Sequence, residues 1–295
     1  MIGSYPDRVR TLRKPSTTFP ADACDCAIHI YGPPGSSRLA DNRKYDPIDA
    51  NLDAMLELHR WLGVDRAVLV QASIYGTDHS VVLAALRRMP ERLRAVAVVD
   101  ETVSDAELAE LEAAGFVSAR FNILSMLGNA WDEDTFVRRV TRVARRGWSI
   151  SLHATVAELK ARWSLIERID APVIIDHMAY FDGTQGIDPA DLAFMRRVMA
   201  SDTCWLKVSR MDVVSRQGTP YDDTVDYVRA LIDLAPERTV WATDWPHVLY
   251  DRPTPDDAGL VELFERFVPD AKLRRRILVD APTELFGFTS PAARP

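Results

Sequence analysis

The sequence predicts a single (β/α)8 barrel of the α/β class, and two observations indicate it. Eight short apolar runs with β-strand composition recur along the chain, and helical patterns lie between them. No stretch rich in proline, glycine and serine divides the chain, so we assign all eight units to one domain. We expect an extended arm over residues 1–20, the barrel over residues 21–290 and a tail over residues 291–295.

The apolar runs are mostly continuous and do not alternate strictly with polar residues. Strands buried on both faces of a parallel sheet have this pattern. The predicted strands are residues 23–31, 66–72, 93–99, 117–123, 148–154, 171–178, 203–209 and 238–244.

Five of the intervening segments carry clear helix signals, and several begin with Ser, Asp or Glu and end at Gly. They are residues 52–63, 80–89, 104–115, 132–147 and 156–169. The competing architecture is a doubly wound sheet, which commonly has a glycine-rich ligand loop after its first strand. The segment YGPPGSSR at this point lacks that form, so we favour the barrel.

Composition argues against several classes of function. The formal net charge is −7 and no basic cluster is longer than residues 274–276, which argues against a nucleic-acid surface. No apolar run approaches the roughly 18 residues of a membrane span, and the first residues lack the apolar middle of a signal peptide. We expect a cytoplasmic protein, either a monomer or a homodimer. Because of their spacing, Cys24, Cys26 and Cys204 are predicted to be free buried thiols.

The first strand raises the question of a metal site. Asp25, Ala27 and His29 lie two residues apart, and alternate residues of a strand share a face, so we expect all three to project together. A metal site would need a second histidine at position 27, where the sequence has only a methyl group.

Histidines collect where the predicted strands end. His29, His153 and His177 fall at or near the last positions of apolar strands, and His247 lies three residues past Asp244, which ends the eighth. Active sites of (β/α)8 barrels lie at the carboxyl ends of the strands. We therefore interpret these residues as parts of an active site.

Asp244, in WATDWPH, is the candidate general base. Trp245 can restrict the access of water, and Pro246 fixes its own backbone torsion. A carboxylate beside an aromatic surface and near histidines is suited to be a base with a shifted pKa. A purely structural role in capping a loop is the alternative.

Two arginines at strand ends suggest a carboxylate on the substrate. Arg120 lies late in the fourth strand, where a guanidinium is costly to bury unless it meets an anion, and Arg210 closely follows the seventh. Arginine binds carboxylates in a bidentate manner. An internal ion pair of Arg120 with Asp25 or Asp176 stays open as the alternative.

Hydroxyl groups supply further candidates for substrate contacts. Ser73, Tyr75 and Thr77 follow the second strand, and Tyr45 lies in a long loop that we expect to fold over the mouth of the barrel.

As an ordered set, the segments CDCAIHIYGP, VQASIYGTD, ARFNIL, VIIDHM and WATDWPH resemble the lactonase branch of the amidohydrolase superfamily. The resemblance runs from about residue 20 to about residue 287. It implies a distorted (β/α)8 barrel that hydrolyses or isomerises lactones, including pyrone dicarboxylates, muconolactones and sugar-acid lactones, during the breakdown of aromatic compounds.

The resemblance also implies roles for individual residues. Asp244 would activate water, and His177 and His29 would donate to the carbonyl and the developing oxyanion. Arg120, Arg210, Ser73, Thr77, Tyr45 and His153 would contact the substrate. His153 stands where the pyrone lactonases have a tyrosine, and Met126 stands where the family has a further arginine, so the exact lactone stays open.

The pyrone lactonases are metal-independent, and Ala27 removes one ligand of the opening motif, so we expect no cofactor. A single zinc or manganese ion held by His29, His153, His177 and Asp244 is the alternative. Three functions stay open: a hydrolase for a carboxylate-bearing lactone, a zinc-dependent lactonase or a related isomerase or decarboxylase, and a barrel that binds a small acid without turnover. Asp244 favours hydrolysis, because moving an acyl group needs no activated water.

Overall fold

The computed structural model is an eight-stranded parallel sheet whose strands neighbour one another in chain order. It describes residues 12–124, 132–181, 188–248 and 253–289. The strands are β1 Cys24–Ile28, β2 Arg66–Val70, β3 Leu93–Ala97, β4 Phe116–Asn122, β5 Ser149–His153, β6 Val173–Ile175, β7 Cys204–Val208 and β8 Thr239–Trp241. All eight predicted strands are confirmed. Strands β1, β6 and β8 stop three residues before their predicted ends, and His29, His177 and Asp244 lie in the segments that follow them.

The five predicted helices are confirmed as α1 to α5 and are followed by further helices. The α-helices are α1 Leu52–Leu62, α2 Ser80–Arg88, α3 Asp105–Ala114, α4 Glu133–Ala144, α5 Val156–Ile166, α6 Pro189–Met199, α7 Met211–Val214, α8 Val225–Ile232, α9 Asp257–Phe267, α10 Ala271–Arg275 and α11 Ala281–Phe286. Ser104 and Glu107 form a reciprocal capping box at the start of α3, as Thr155 and Glu158 do for α5. No helix among the described residues is long and apolar enough to cross a bilayer.

The interior of the barrel changes from apolar to polar along the strands. An apolar cluster contains Cys24, Cys26, Val68, Val96, Ile174, Trp205 and Val240, and the C-terminal Phe286 and Phe288 pack on it. Two residues further along β6 and β7, the same faces carry Asp176 and Lys207, both fully buried. The polar groups therefore lie toward the carboxyl ends of the strands. The three cysteines are free and buried, as predicted.

The ends of the chain lie partly outside the described residues. Arg13 forms ion pairs with Asp256 and Glu262, and Phe19 packs edge-on against Trp241. The arm that we expected over residues 1–20 thus contacts the region of α9 where it is described. Residues 1–11 and the predicted tail, residues 291–295, lie outside the described residues, and so does Met126.

A buried carboxylate ties β1 to the segment after β8. Asp25 accepts hydrogen bonds from the backbone N–H of Thr243, at 3.0 Å, and from the Thr243 hydroxyl. The Nε2 atom of His59 on α1 lies 3.5 Å from Asp25 Oδ2. Asp25 therefore points toward α1, on the outside of the barrel wall.

The expectation that Asp25, Ala27 and His29 share one face is wrong. The register of β1 against β2 shifts between Asp25 and Ile28, and such a bulge breaks the two-residue alternation. Ala27 packs in the apolar cluster of the interior, whereas Asp25 contacts Thr243.

Two backbone hydrogen bonds close the barrel above this carboxylate. The N–H of Asp244 donates to Ala27 O at 3.0 Å, and the N–H of His29 donates to Trp245 O at 2.8 Å. The closure of the sheet thus places Asp244 and His29 next to each other.

Replacing Asp25 with alanine is expected to lower the free energy of unfolding by about 3 kcal/mol, because two Thr243 donors lose a buried charged acceptor. Urea denaturation at neutral pH measures the change. Asp202→Ala is the matched control, since that side chain is 99% exposed. A loss in Asp25→Ala no greater than that in the control would contradict the assigned role.

Candidate active site

Three side chains converge at the carboxyl ends of the strands. His29 follows β1, His177 follows β6 and Asp244 follows β8, and all three are buried. Asp244 Oδ1 lies 3.5 Å from His29 Nε2 and 4.0 Å from His177 Nε2. These are the three residues that the sequence predicts as catalytic, and the fold brings them together.

One hydrogen bond determines which nitrogen of His29 carries the proton. His29 Nδ1 lies 2.8 Å from the carbonyl oxygen of Val70, and because a carbonyl only accepts, Nδ1 must be the donor. In the neutral form of the ring, Nε2, which lies toward Asp244, carries no proton. A molecule that donates two protons, such as water, matches these two acceptors.

His177 is held in the opposite sense. Its Nδ1 lies 2.8 Å from the hydroxyl of Ser209, and a hydroxyl can donate to it. The hydroxyl can also accept, and the carboxylate of Asp244, 4.0 Å from Nε2, favours the tautomer with the proton on Nε2. Burial lowers the pKa of His177 to about 3, against the opposing effects of Asp244 and Asp176, so the ring is neutral at neutral pH.

The two oxygens of Asp244 have different surroundings. Oδ2 accepts a hydrogen bond of 2.9 Å from Arg210 Nη1, whereas Oδ1 is buried without a hydrogen-bond partner among the described residues. Burial opposes ionisation, but the surrounding groups, among them the guanidinium of Arg210, outweigh it and hold the pKa of Asp244 well below its ordinary value. Asp244 is therefore an ionised carboxylate with one oxygen available.

The backbone is strained at these positions. Asp244, His177 and Arg210 have φ values of 63°, 53° and 61°, in the left-handed region that residues with a Cβ rarely adopt. Nine described non-glycine residues have positive φ, and seven of them follow β6, β7 or β8. Such strain costs about 1 kcal/mol or more at each residue and clusters at functional sites.

A second buried cluster lies beneath His177. Asp176 Oδ1 is 2.7 Å from Lys207 Nζ, and Asp176 Oδ2 is 3.1 Å from Arg120 Nη2 and accepts a hydrogen bond from Ser151. Burial of Asp176 raises the pKa of its carboxyl, but Lys207 and Arg120 outweigh burial and hold this pKa below its ordinary value. Of the two ion pairs left open for Arg120, the structure contains the one with Asp176.

His153 contacts a residue that the sequence reasoning missed. His153 Nε2 lies 2.7 Å from the hydroxyl of Tyr180, and both rings pack against His177. Burial, and then the positive charge of Arg120, lower the pKa of His153 well below its ordinary value. Tyr180 is visible in the segment DHMAY, next to His177. Its position beside His153 depends on a left-handed turn that the residues of this segment do not predict. Ser209 and Lys207 were missed because they sit within an ordinary strand pattern.

Of the predicted hydroxyl contacts, Tyr45 and Ser73 form a hydrogen bond with each other, whereas Thr77 lies on a surface groove. Tyr45 is buried with its hydroxyl 2.9 Å from that of Tyr31, and burial raises the pKa of Tyr45 to about 12, with a smaller contribution from Asp244. Ser73 is exposed in a short helix after β2. Thr77 lines a groove of about 620 Å³ that Leu83 and Leu111 also line, on α2 and α3. Their roles with substrate stay predictions.

His247 forms a separate buried pair. Its Nε2 lies 2.8 Å from Asp257 Oδ1 at the start of α9, and its backbone N–H donates to Asp244 O. Burial alone would lower the pKa of His247, but Asp257 outweighs burial and raises it. The pair anchors the segment that carries Asp244.

The donor set does not fit a metal ion well. Among the described residues no group of three or more His, Cys, Asp or Glu side chains is placed to hold one. Ala27 has no donor, Nε2 of His153 contacts Tyr180, and the guanidinium of Arg210 lies 2.9 Å from Asp244, where it competes with a second cation.

The family model described as Amidohydrolase matches residues 24–288. The chain belongs to this amidohydrolase family. It is 34% identical over 275 residues to a 4-sulfomuconolactone hydrolase of Rhizobium radiobacter, with 92% of each chain covered. It is 32% identical over 282 residues to a 2-pyrone-4,6-dicarboxylate hydrolase of Comamonas testosteroni, again with 92% of each covered.

The fold of this amidohydrolase also matches solved structures. A crystal structure of a protein from Agrobacterium tumefaciens superposes with a TM-score of 0.83 at 29% identity, covering 94% of this chain and 99% of that one. The resemblance found in the five sequence segments is therefore confirmed, and so is the single barrel.

We expect opposite titration behaviour of two buried histidines. Because burial lowers the pKa of His177 to about 3, its ring should stay neutral from pH 8 to pH 5, whereas His247 beside Asp257 should keep its proton above the ordinary histidine pKa. Imidazole ¹⁵N chemical shifts measure both, and His177→Gln and His247→Gln assign the signals.

The lowered pKa of His177 also determines how the free energy of unfolding changes with pH. The unfolded chain binds a proton at His177 below about pH 6.5 and the folded chain does not, so this histidine destabilises the fold as the pH falls from about 6.5 toward 3. Protonation of His177 near pH 6.5 in the folded protein would contradict this assignment.

Proposed function

We propose that this enzyme is a hydrolase that opens the ester bond of a carboxylate-bearing lactone without a metal ion. The observation that carries the proposal is the ionised Asp244, whose Oδ1 is available and faces His29 and His177. The similarity to hydrolases of two lactones supports the same reaction class.

In this proposal Asp244 and His29 hold the attacking water. The water donates one hydrogen bond to Asp244 Oδ1 and one to the unprotonated Nε2 of His29. Asp244 takes a proton as the water oxygen forms its bond to the lactone carbonyl carbon. Sequence reasoning predicts that His29 donates to the carbonyl; in the present proposal the ring is neutral and uses its only donor on Val70.

His177 stabilises the negative charge that develops on the carbonyl oxygen. The neutral imidazole donates from Nε2, and Ser209 at Nδ1 holds the ring in that tautomer. When the tetrahedral intermediate breaks its bond to the ring oxygen, the proton on Asp244 passes to that oxygen. The products are a carboxylic acid and an alcohol or enol, and Asp244 is ionised again.

The proposal is tested with a panel of lactones that bear carboxylates, by following ring opening in H₂¹⁸O. Hydrolysis incorporates one ¹⁸O atom into the product carboxylate, whereas an isomerase that moves the acyl group incorporates none. Absence of turnover of every lactone, with and without added zinc, would overturn the hydrolase proposal.

Replacing Asp244 with asparagine is expected to lower kcat by about 10²- to 10⁴-fold, because the water loses its general base. Substrate binding, measured by calorimetry, should remain. Asp202→Asn, an exposed carboxylate, serves as the control and should keep full activity. Comparable activity of Asp244→Asn and the control would remove Asp244 as the base.

Turnover is expected to survive dialysis against a chelator, because Ala27 supplies no ligand and Arg210 already neutralises Asp244. Elemental analysis of the dialysed protein checks that the metal content is substoichiometric. A loss of activity that zinc or manganese restores would replace this mechanism with the metal-dependent alternative.

A further inference from the structure

We propose that Tyr180, held by its hydrogen bond with His153, selects a lactone that carries a hydroxyl group on the ring carbon next to the carbonyl. The inference rests on the proposed function and adds to it the substituent that the substrate carries at this position. It follows from where the chain after β6 places the Tyr180 side chain and from the protons that the two side chains hold.

A left-handed turn brings Tyr180 back beside His177. The four residues 177–180 have φ values between 46° and 55°, and in a helical turn of either hand residues three apart lie on the same side. The ring centres of His177 and Tyr180 are accordingly 5.3 Å apart. Met178 and Ala179, between them, are fully buried. Left-handed backbone is costly for residues with a Cβ, and here it places two polar side chains next to each other.

The rings of His153, His177 and Tyr180 form one cluster. Their centres are 5.1 to 5.4 Å apart. His177 is buried, whereas His153 and Tyr180 are partly exposed. In the proposed mechanism His177 donates to the carbonyl oxygen of the lactone. A substituent on the neighbouring ring carbon is then the part of the substrate that extends toward Tyr180.

Both partners of the hydrogen bond are neutral at neutral pH. Burial lowers the pKa of His153 well below its ordinary value, and burial raises the pKa of the Tyr180 hydroxyl above its ordinary value. Neither side chain contributes a charge. The pair is therefore suited to a neutral polar group of the substrate.

The pair holds two exchangeable protons and uses one of them internally. His153 Nε2 lies 2.7 Å from the Tyr180 hydroxyl, and one proton fills this bond. When the hydroxyl donates, its oxygen keeps a lone pair for a substrate donor; when Nε2 donates, the hydroxyl proton is left for a substrate acceptor. A hydroxyl group on the lactone both donates and accepts, so it matches either arrangement.

The first test compares two carboxylate-bearing lactones of one ring system, with a hydroxyl or a hydrogen on the carbon next to the carbonyl. Each kcat/KM is divided by the rate constant for hydrolysis of that lactone by hydroxide, which removes the difference in intrinsic reactivity. We expect the corrected value to be about tenfold or more higher for the better epimer of the hydroxy lactone, because the deoxy lactone leaves the Tyr180 hydroxyl without a partner.

Two outcomes of this comparison are adverse and can be told apart. A corrected kcat/KM for the deoxy lactone that equals or exceeds that of the hydroxy lactone would overturn the inference and leave the hydrolase itself established. Turnover of neither lactone would fail the proposed function instead.

The second test uses Tyr180→Phe, which removes only the hydroxyl. The ratio of kcat/KM for the hydroxy lactone to that for the deoxy lactone is expected to fall by about tenfold, since only the hydroxy lactone loses a hydrogen bond. Tyr227→Phe, which removes the hydroxyl of a buried tyrosine on α8, is the matched control and should keep the ratio. Circular dichroism checks the fold. An equal loss for both lactones in Tyr180→Phe would give Tyr180 a structural role and overturn its assignment.

The third test asks whether His153 acts through Tyr180 as a positioning residue. His153→Leu should lower the same ratio about as much as Tyr180→Phe does, and His153→Gln, which keeps a donor and an acceptor, should recover part of it. The double variant of His153→Leu and Tyr180→Phe should lower the ratio no further, because two residues that act as one unit are not additive. Additive losses in the double variant would overturn the pairing.

Discussion

The closure of the barrel by Asp25 is the interaction on which the arrangement of the candidate site depends. The carboxylate lies outside the wall and binds both the N–H and the hydroxyl of Thr243, so the chain leaving β8 is held against β1. The next residue is Asp244, whose own N–H bonds to Ala27 O. A polar contact on the outside of the barrel wall thereby determines where Asp244, the candidate base, lies inside the barrel.

The buried charged side chains of the candidate site need counterions. As a result, the two arginines, Arg120 and Arg210, pair with different carboxylates. Arg210 compensates Asp244, whereas Arg120 and Lys207 share Asp176. His177 is neutral. In the proposed mechanism the contacts with Val70 and Ser209 set the tautomers, so that His29 accepts at Nε2 where His177 donates.

The local pattern of apolar residues was enough to predict the strands. It failed where the backbone departs from regular strand geometry. Continuous apolar runs located all eight strands, because a sheet covered on both faces requires them. The bulge in β1 turned Asp25 away from His29, and the left-handed turn after β6 carried Tyr180 onto His153. Neither departure has a local sequence signal, since the strain is compensated by contacts with other strands.

The sequence by itself determined the barrel, the family and the histidines and Asp244 at the strand ends, because periodicity and strand-end position are local properties of a chain. Only the tertiary structure decided which groups each of these side chains contacts. Whether Arg210 meets Asp244 or a substrate, and which nitrogen of His29 holds a proton, depends on atoms tens of residues away. Pairing of buried charges is a property of the closed barrel, because burial in the low-dielectric interior is what makes an unpaired charge costly.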